Sequence, residues 1–195
     1  MVKPGIKLLK PFTKSEVSLE EAIEKRNSVR HFKNEEISFQ AVSQLLWAAY
    51  GLGSVPSAGA IYPLRIYLIT QKVELVKPGV YRYFSQSHDL SEVLGGPVGR
   101  ELEQAAFGQV FLKEAAAIVV IAAQYEEITR KYGSRGAVFA HLEAGHCGQN
   151  IYLQVQSLGL GTVAVGAFDE EEIRVLLNIP ENEEILYLMP VGKPE

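Results

Sequence analysis

With 195 residues, 47% of them hydrophobic and 22% charged, the chain suits one globular domain that buries roughly two thirds of its unfolded surface, and disorder is excluded. A formal net charge of -4 leaves no basic footprint and argues against a nucleic-acid partner. The longest aliphatic run, Ala115 to Ala123, is far short of the ~20 residues of a membrane helix, so no membrane partner is expected.

Residues 1–17, punctuated by Pro4, Gly5 and Pro11, read as a loosely held arm. Ser18-Leu-Glu-Glu21 then has the form of a capping box, in which Ser18 and Glu21 satisfy the first free amides of a helix that ends near Arg26. Val42, Leu45, Leu46 and Ala49 repeat at helical spacing and predict a helix over about Ser38 to Tyr50, closed by Gly51. Strands are expected over Leu64–Thr70 and, after the Pro78-Gly79 turn, over Val80–Phe84. A helix over Gly99–Phe107 precedes Ala115–Ala123, which reads as a strand covered on both faces. A long helix follows over about Ala137 to Leu158, then a strand over Thr162–Phe168 and a helix capped by Asp169 with Glu172 three positions on. Ile185–Val191 is the last strand. Helices and strands mix without a regular βαβ alternation, so the fold class is α+β: a mixed sheet flanked by helices. No repeat or long linker divides the chain, and residues 1–195 form one domain.

The first residues carry no apolar signal-peptide core, and the single Cys147 allows no intrachain disulfide. Both features suit a reducing compartment, and a cytoplasmic location is the expectation by elimination.

Some patterns suggest chemistry and fail. Gly159, Gly161 and Gly166 do not make a dinucleotide loop, because they follow a helix and open a strand. His141 and His146 are five apart, about 140° around a helix, and cannot share one metal as an i, i+4 pair does; no metal site is expected. Cys147 falls inside an amphipathic helix, where core packing is its role.

Other segments hold together. Alternate residues of an extended stretch point one way, so Arg26, Ser28 and Arg30 could converge on one anion. On spacing alone, arginines that offset a helix dipole explain them as well. The small residues of Pro56-Ser-Ala-Gly-Ala-Ile-Tyr-Pro63 let backbone approach a flat ligand, with Ser57 at its edge, or form an ordinary connection. Gly159-Leu-Gly-Thr-Val-Ala-Val-Gly-Ala-Phe168 offers strand-end amides to a flat ring, or is a buried strand after a glycine cap.

Taken in order, Arg26-x-Ser-x-Arg30, the Pro56–Pro63 loop, Glu143-Ala-Gly-His-Cys-Gly-Gln-Asn-Ile-Tyr-Leu153, Gly159–Phe168 and Pro190-Val-Gly-Lys-Pro194 resemble the nitroreductase superfamily over nearly the whole chain from Ser18. Within it the sequence is most similar to the SagB-type dehydrogenase branch, known from azoline oxidation in ribosomal peptides. The resemblance implies an interlocked homodimer with FMN at the subunit interface. It implies that Arg26, Asn27, Ser28 and Arg30 hold the phosphate, ribityl chain and pyrimidine edge, joined at the phosphate by Lys193. Pro56, Ser57, Ala58 and Gly59 would reach the flavin from the partner subunit, and Val165, Gly166 and Ala167 would line the ring. The small residues Ala140, Ala144 and Gly148 would let long helices pack closely, between subunits or within the core.

The best-known nitro-reducing members carry an Asn and a Gln where this loop has Ala60 and Tyr62, and that departure favours the dehydrogenase branch. Lys131-Tyr132-Gly133-x-Arg135 is similar to a segment of azoline oxidisers, where the Lys-Tyr pair implies proton removal; from spacing alone the pair is a solvated Lys and a half-buried Tyr at a helix boundary. The expected activity is hydride transfer from a small heterocyclic or peptide-linked substrate to flavin N5. The alternatives are a broad reductase fed by NADH or NADPH, and a flavin-binding module without catalysis.

Overall fold

The computed structural model of the chain describes residues 5–195. Its strands are β1 (Ile6–Lys7), β2 (Leu64–Thr70), β3 (Gly79–Phe84), β4 (Asp89–Gly95), β5 (Ala117–Ala123), β6 (Gly161–Thr162) and β7 (Glu184–Gly192). They form one sheet in the order β1-β4-β3-β2-β5-β7-β6, with every strand pairing antiparallel. The helices are α1 (Leu19–Lys25), α2 (Phe39–Tyr50), α3 (Gly99–Ala105), α4 (Phe111–Glu114), α5 (Tyr125–Tyr132), α6 (Arg135–Ser157) and α7 (Glu170–Leu176). This is the expected α+β arrangement of a sheet flanked by helices.

The all-apolar run becomes β5, and its pleat explains the composition. Val119 and Ile121 join the apolar cluster built with α2, α5 and α6, whereas Ile118 and Val120 join the cluster built with α3, α4 and α7. Every residue of this strand is buried, and each large side chain so placed is worth roughly 1.5–3 kcal/mol.

The helix signals act as expected, with local differences. Ser18 accepts from the Glu21 amide at 3.1 Å, and the Glu21 carboxylate pairs with Lys25 at 2.5 Å while the Ser18 backbone amide adds a smaller pull on it. Asp169 caps α7 by accepting from the Glu172 amide at 2.9 Å. Gly51 closes α2 with its N–H on the Trp47 carbonyl at 2.7 Å. Its φ of -64° is ordinary; glycine is required because a Cβ would lie 2.5 Å from Trp47 Cδ1. Along α6, Ala140, Ala144 and Gly148 are buried in the chain's own core, and a Cβ on Gly148 would meet Met189 Sδ at 3.5 Å. That small-residue face therefore belongs to the core of the protomer.

The arm is not loose where it is described. Residues 1–4 lie outside the described residues; beyond them β1 pairs with β4, and Leu8 is buried. The Leu9 amide donates to Ser43 Oγ at 3.1 Å, and Gln44 grips both the amide and carbonyl of Phe12. The strand expected over Thr162–Phe168 shrinks to β6 and a bridge between Val165 and Leu188. Both β4 and α5 are additions to the predicted elements. Among the described residues, no helix is long and apolar enough to cross a membrane.

Ile121 seals the α6 side of the sheet with no exposed surface. Ile121→Ala should cost about 2–5 kcal/mol, read as a lower urea midpoint at unchanged slope. A loss under about 1 kcal/mol would show that the strand is not held between two packed layers.

Candidate active site

Two groups of the singled-out residues assemble on α6, one near each end. The first forms around Tyr152. Arg26, the residue that ends α1, lays its guanidinium over the Tyr152 ring at 5.3 Å. Ser28 Oγ lies 3.1 Å from the Tyr152 hydroxyl, and that hydroxyl also accepts the Ala164 amide at 2.8 Å. One phenol thus ties the arginine segment, the long helix and the strand end together. The Val29 amide donates to the Thr162 carbonyl at 2.9 Å, which fixes the segment a second time. Close by, the buried Thr162 Oγ1 makes no hydrogen bond.

Asn27 and Arg30 are exposed beside this anchor, and among the described residues neither Arg26 nor Arg30 forms an ion pair. Val165 is buried and bonded to Leu188, while Gly166 and Ala167 are exposed and their amides bond to nothing among the described residues. The C-terminal stretch lies alongside: the Lys33 amide donates to the Lys193 carbonyl at 2.9 Å. The Lys193 ammonium points to Glu35, 2.7 Å away, and the Lys193 hydrogen bond is the chief reason the Glu35 carboxyl is held below its usual range.

The second group forms where the Pro56–Gly59 turn meets α5. Ser57 Oγ accepts the Tyr62 amide at 2.8 Å and folds the chain into a short 3-10 turn over Ala58–Ala60. Gly59 has φ +62°, and a Cβ there would lie 2.6 Å from both Lys131 Nζ and the Tyr132 hydroxyl. Glycine is thus demanded twice, by handedness and by close approach. Pro56 is exposed, and Ala58 packs on the core. Lys131 and Tyr132 end α5, at a helix boundary as expected from spacing: Lys131 is exposed over the Tyr132 ring at 5.4 Å, and the half-buried Tyr132 packs edge-on against Phe139 at 5.1 Å.

Beneath this turn are residues to which the sequence patterns gave no role in a site. Glu143 is 2% exposed, and its Oε1 accepts the Tyr50 hydroxyl at 2.5 Å. Burial raises the Glu143 carboxyl above its ordinary range, opposed by the pull of Tyr50, Ser57 and His146. Burial also pushes up the Tyr50 phenol and the Cys147 thiol one turn further along α6. Polar residues at buried positions of an amphipathic helix were the signal available for Glu143. Tyr152, likewise, is a polar-tipped side chain in an aliphatic stretch.

A description of the nitroreductase family matches residues 23–193. The chain belongs to the nitroreductase family. A Methanocaldococcus jannaschii protein named as a nitroreductase is 46% identical over 184 residues, covering 91% of this chain and 92% of its own. An NADPH-flavin oxidoreductase of Vibrio harveyi is 31% identical over 103 residues, 49% of this chain and 43% of its own. A crystal structure from Anabaena variabilis, described as a nitroreductase, superposes with TM-score 0.90 at 26% identity. It covers 98% of this chain, which spans 42% of that longer protein. This nitroreductase-family chain is accordingly an oxidoreductase related to flavin oxidoreductases.

Tyr152→Phe tests the anchor of the first group. It strips the partner from the Ala164 amide and should cost about 1–3 kcal/mol of stability. Denaturant unfolding indistinguishable from wild type would show that the phenol ties nothing together.

Proposed function

We propose that the protein is an FMN-dependent dehydrogenase of the SagB type, working as a homodimer on a small heterocyclic or peptide-linked substrate. The observation that carries this reading is the contact of Gly59 with Lys131 Nζ and the Tyr132 hydroxyl. It supports the reading because Lys131 and Tyr132, which would take the proton, lie against the loop that would reach the flavin.

The residues present fit FMN. Arg26 and Arg30 keep their charges unspent, and the exposed amides of Gly166 and Ala167 are free to donate to a ring edge. FMN, when bound, supplies the hydride acceptor. Arg26, Asn27, Ser28 and Arg30 would hold its phosphate, ribityl chain and pyrimidine edge, with Lys193 joining if its ammonium leaves Glu35. Val165, Gly166 and Ala167 would line the ring. Forming a double bond in an azoline releases a hydride and a proton, and Lys131 or Tyr132 would accept the proton.

Helix geometry supports the dimer. Glu143, beneath the Pro56–Gly59 turn, and Tyr152, beneath the arginine segment, are nine residues apart on one helix. That is about 14 Å along its axis. A partner subunit that brings its own Pro56, Ser57, Ala58 and Gly59 to the arginine group would close one site from two chains.

A second reading is a general reductase fed by NADH or NADPH, favoured by the Vibrio harveyi relative, whose name specifies NADPH and flavin. The two separate in stopped-flow flavin reduction. Under the dehydrogenase reading, Lys131→Ala or Tyr132→Phe slows azoline oxidation by ~10²–10⁴-fold while reduction by NADPH changes little. Silent variants on a true azoline substrate would leave the reductase reading standing. Arg26→Ala should weaken FMN binding by about 1.5–3 kcal/mol in a folded protein. A purified wild-type protein that stays colourless and takes up no added FMN would sink both readings. Light scattering should give a dimer, and a monomer with full FMN occupancy would reject the shared site.

A further inference from the structure

Glu143 is a buried carboxyl that the roles above do not use. It lies 2% exposed with Oε1 on the Tyr50 hydroxyl, while Oε2 is sealed from solvent without a hydrogen-bond partner at ordinary geometry. The Ser57 hydroxyl is close enough to pull on its charge. Both neighbours belong to the frame of the Ser57–Tyr62 turn. Ser57 accepts the Tyr62 amide, the Tyr50 hydroxyl accepts the Leu64 amide at 3.3 Å, and the Tyr50 ring meets Tyr62 edge-on at 6.2 Å. The top of that turn is Gly59, against Lys131 and Tyr132.

We propose that Glu143 is the positioning residue of this turn, holding Tyr50 with one carboxyl oxygen and Ser57 with the other, so that its protonation sets how the turn seats Gly59 against Lys131 and Tyr132. The consequence for catalysis rests on the function proposed above; the carboxyl's state and its grip on the turn do not.

Burial, more than the hydrogen-bond inventory, decides which form of the acid suits the site. A carboxylate oxygen buried without donors carries an unfavourable charge, and the group neutralises instead. As the neutral acid, Glu143 donates from Oε2 to Ser57 Oγ, which still accepts the Tyr62 amide on its other lone pair, and Oε1 accepts from Tyr50. Both carboxyl oxygens are then partnered with no buried charge, at the cost of leaving the Ser57 hydroxyl proton without one of them as acceptor. Ionisation forces Ser57 to reverse its hydroxyl and leaves a buried negative charge. The titratable groups facing that charge are Tyr50 from α2 and His146 and Cys147 from α6, with Lys131 and Tyr132 of α5 across the turn. Burial raises the carboxyl above its unfolded range. The stability it contributes is therefore full below the unfolded carboxyl range and is lost as pH rises through the folded value.

Glu143→Gln tests this, because an amide keeps an acceptor for Tyr50 and a donor for Ser57 but cannot titrate. In the FMN-loaded dimer, infrared difference spectra between about pH 5 and about pH 9 should show a protonated-carboxyl carbonyl band lost on raising pH, and E143Q should lack it. Thermal unfolding of wild type should fall relative to E143Q as pH rises over the same span. Flavin reduction by NADPH should show an alkaline decline in wild type that E143Q flattens. Absence of the carboxyl band, or unfolding and reduction profiles that match in the two proteins, overturns the proposal. The infrared and unfolding measurements need no turnover. Silent Lys131 and Tyr132 variants alongside a titrating Glu143 would therefore count against the dehydrogenase assignment and leave the positioning role supported.

Discussion

The arrangement depends on α6 lying close against one face of the sheet. That approach is possible because Ala140, Ala144 and Gly148 keep its inner face low, with Met189 Sδ of β7 only 3.5 Å from where a Gly148 Cβ would stand. A Cβ at Gly148 would still make ordinary van der Waals contact there, whereas a side chain longer than alanine would overpack the interface, typically at about 1–3 kcal/mol. From that fixed axis three polar side chains reach out at different heights. Glu143 holds Tyr50, and Asn150 donates to the Ala48 and Ser54 carbonyls at 3.0 and 2.9 Å, pinning the end of α2 and the loop behind it. Tyr152 collects Arg26, Ser28 and Ala164. The helix is the ruler on which both site groups are measured out.

Much of this was legible in the sequence because its signals were local. The continuous apolar run of β5 needs two covering layers wherever it sits, and Ser18 and Asp169 cap their helices with neighbours three residues away. Elements stabilised by distant partners were not legible. Within β4 only Leu90 is fully buried, so Asp89–Gly95 reads as polar turn until β3 pairs with it. Helix α5 buries Ile128 alone, and its charges conceal a helix that exists by packing on α6. The arm reads as loose because its restraints, Ser43 and Gln44, stand more than thirty residues away on α2. Glu21 illustrates sharing: its carboxylate takes the Lys25 ammonium one turn on and feels the Ser18 amide of the box more weakly.

The site shows the same division. Adjacency in sequence told that Arg26 and Ser28 share a side and that Gly59 supplies close approach, since both are properties of a few residues. It could not tell that Lys131 and Tyr132 are what Gly59 approaches, because that contact joins segments about seventy residues apart. Nor could it reveal Glu143, whose meaning comes from burial. In an isolated helix it would be one more solvated carboxylate, and only the roof of α2 and the Ser57 turn makes its charge expensive.

The cations of the first group differ in what an incoming anion would have to displace. Arg26 lies over the Tyr152 ring with its Cζ 5.3 Å from the centroid and forms no ion pair among the described residues, so its charge is unspent. An anion can be received there bidentately without breaking a contact that organises the segment. Lys193 has committed its ammonium to Glu35, but both partners of that pair are close to half exposed, at 45% and 48%. A pair in such surroundings is worth only about 0–1 kcal/mol, less than a charge-assisted bond to a phosphate. On the proposed function the arginine would meet the anion first, and the lysine would be a reserve recruited at small cost. Tyr152 supports both by holding the backbone between them, through Ser28 on one side and Ala164 on the other.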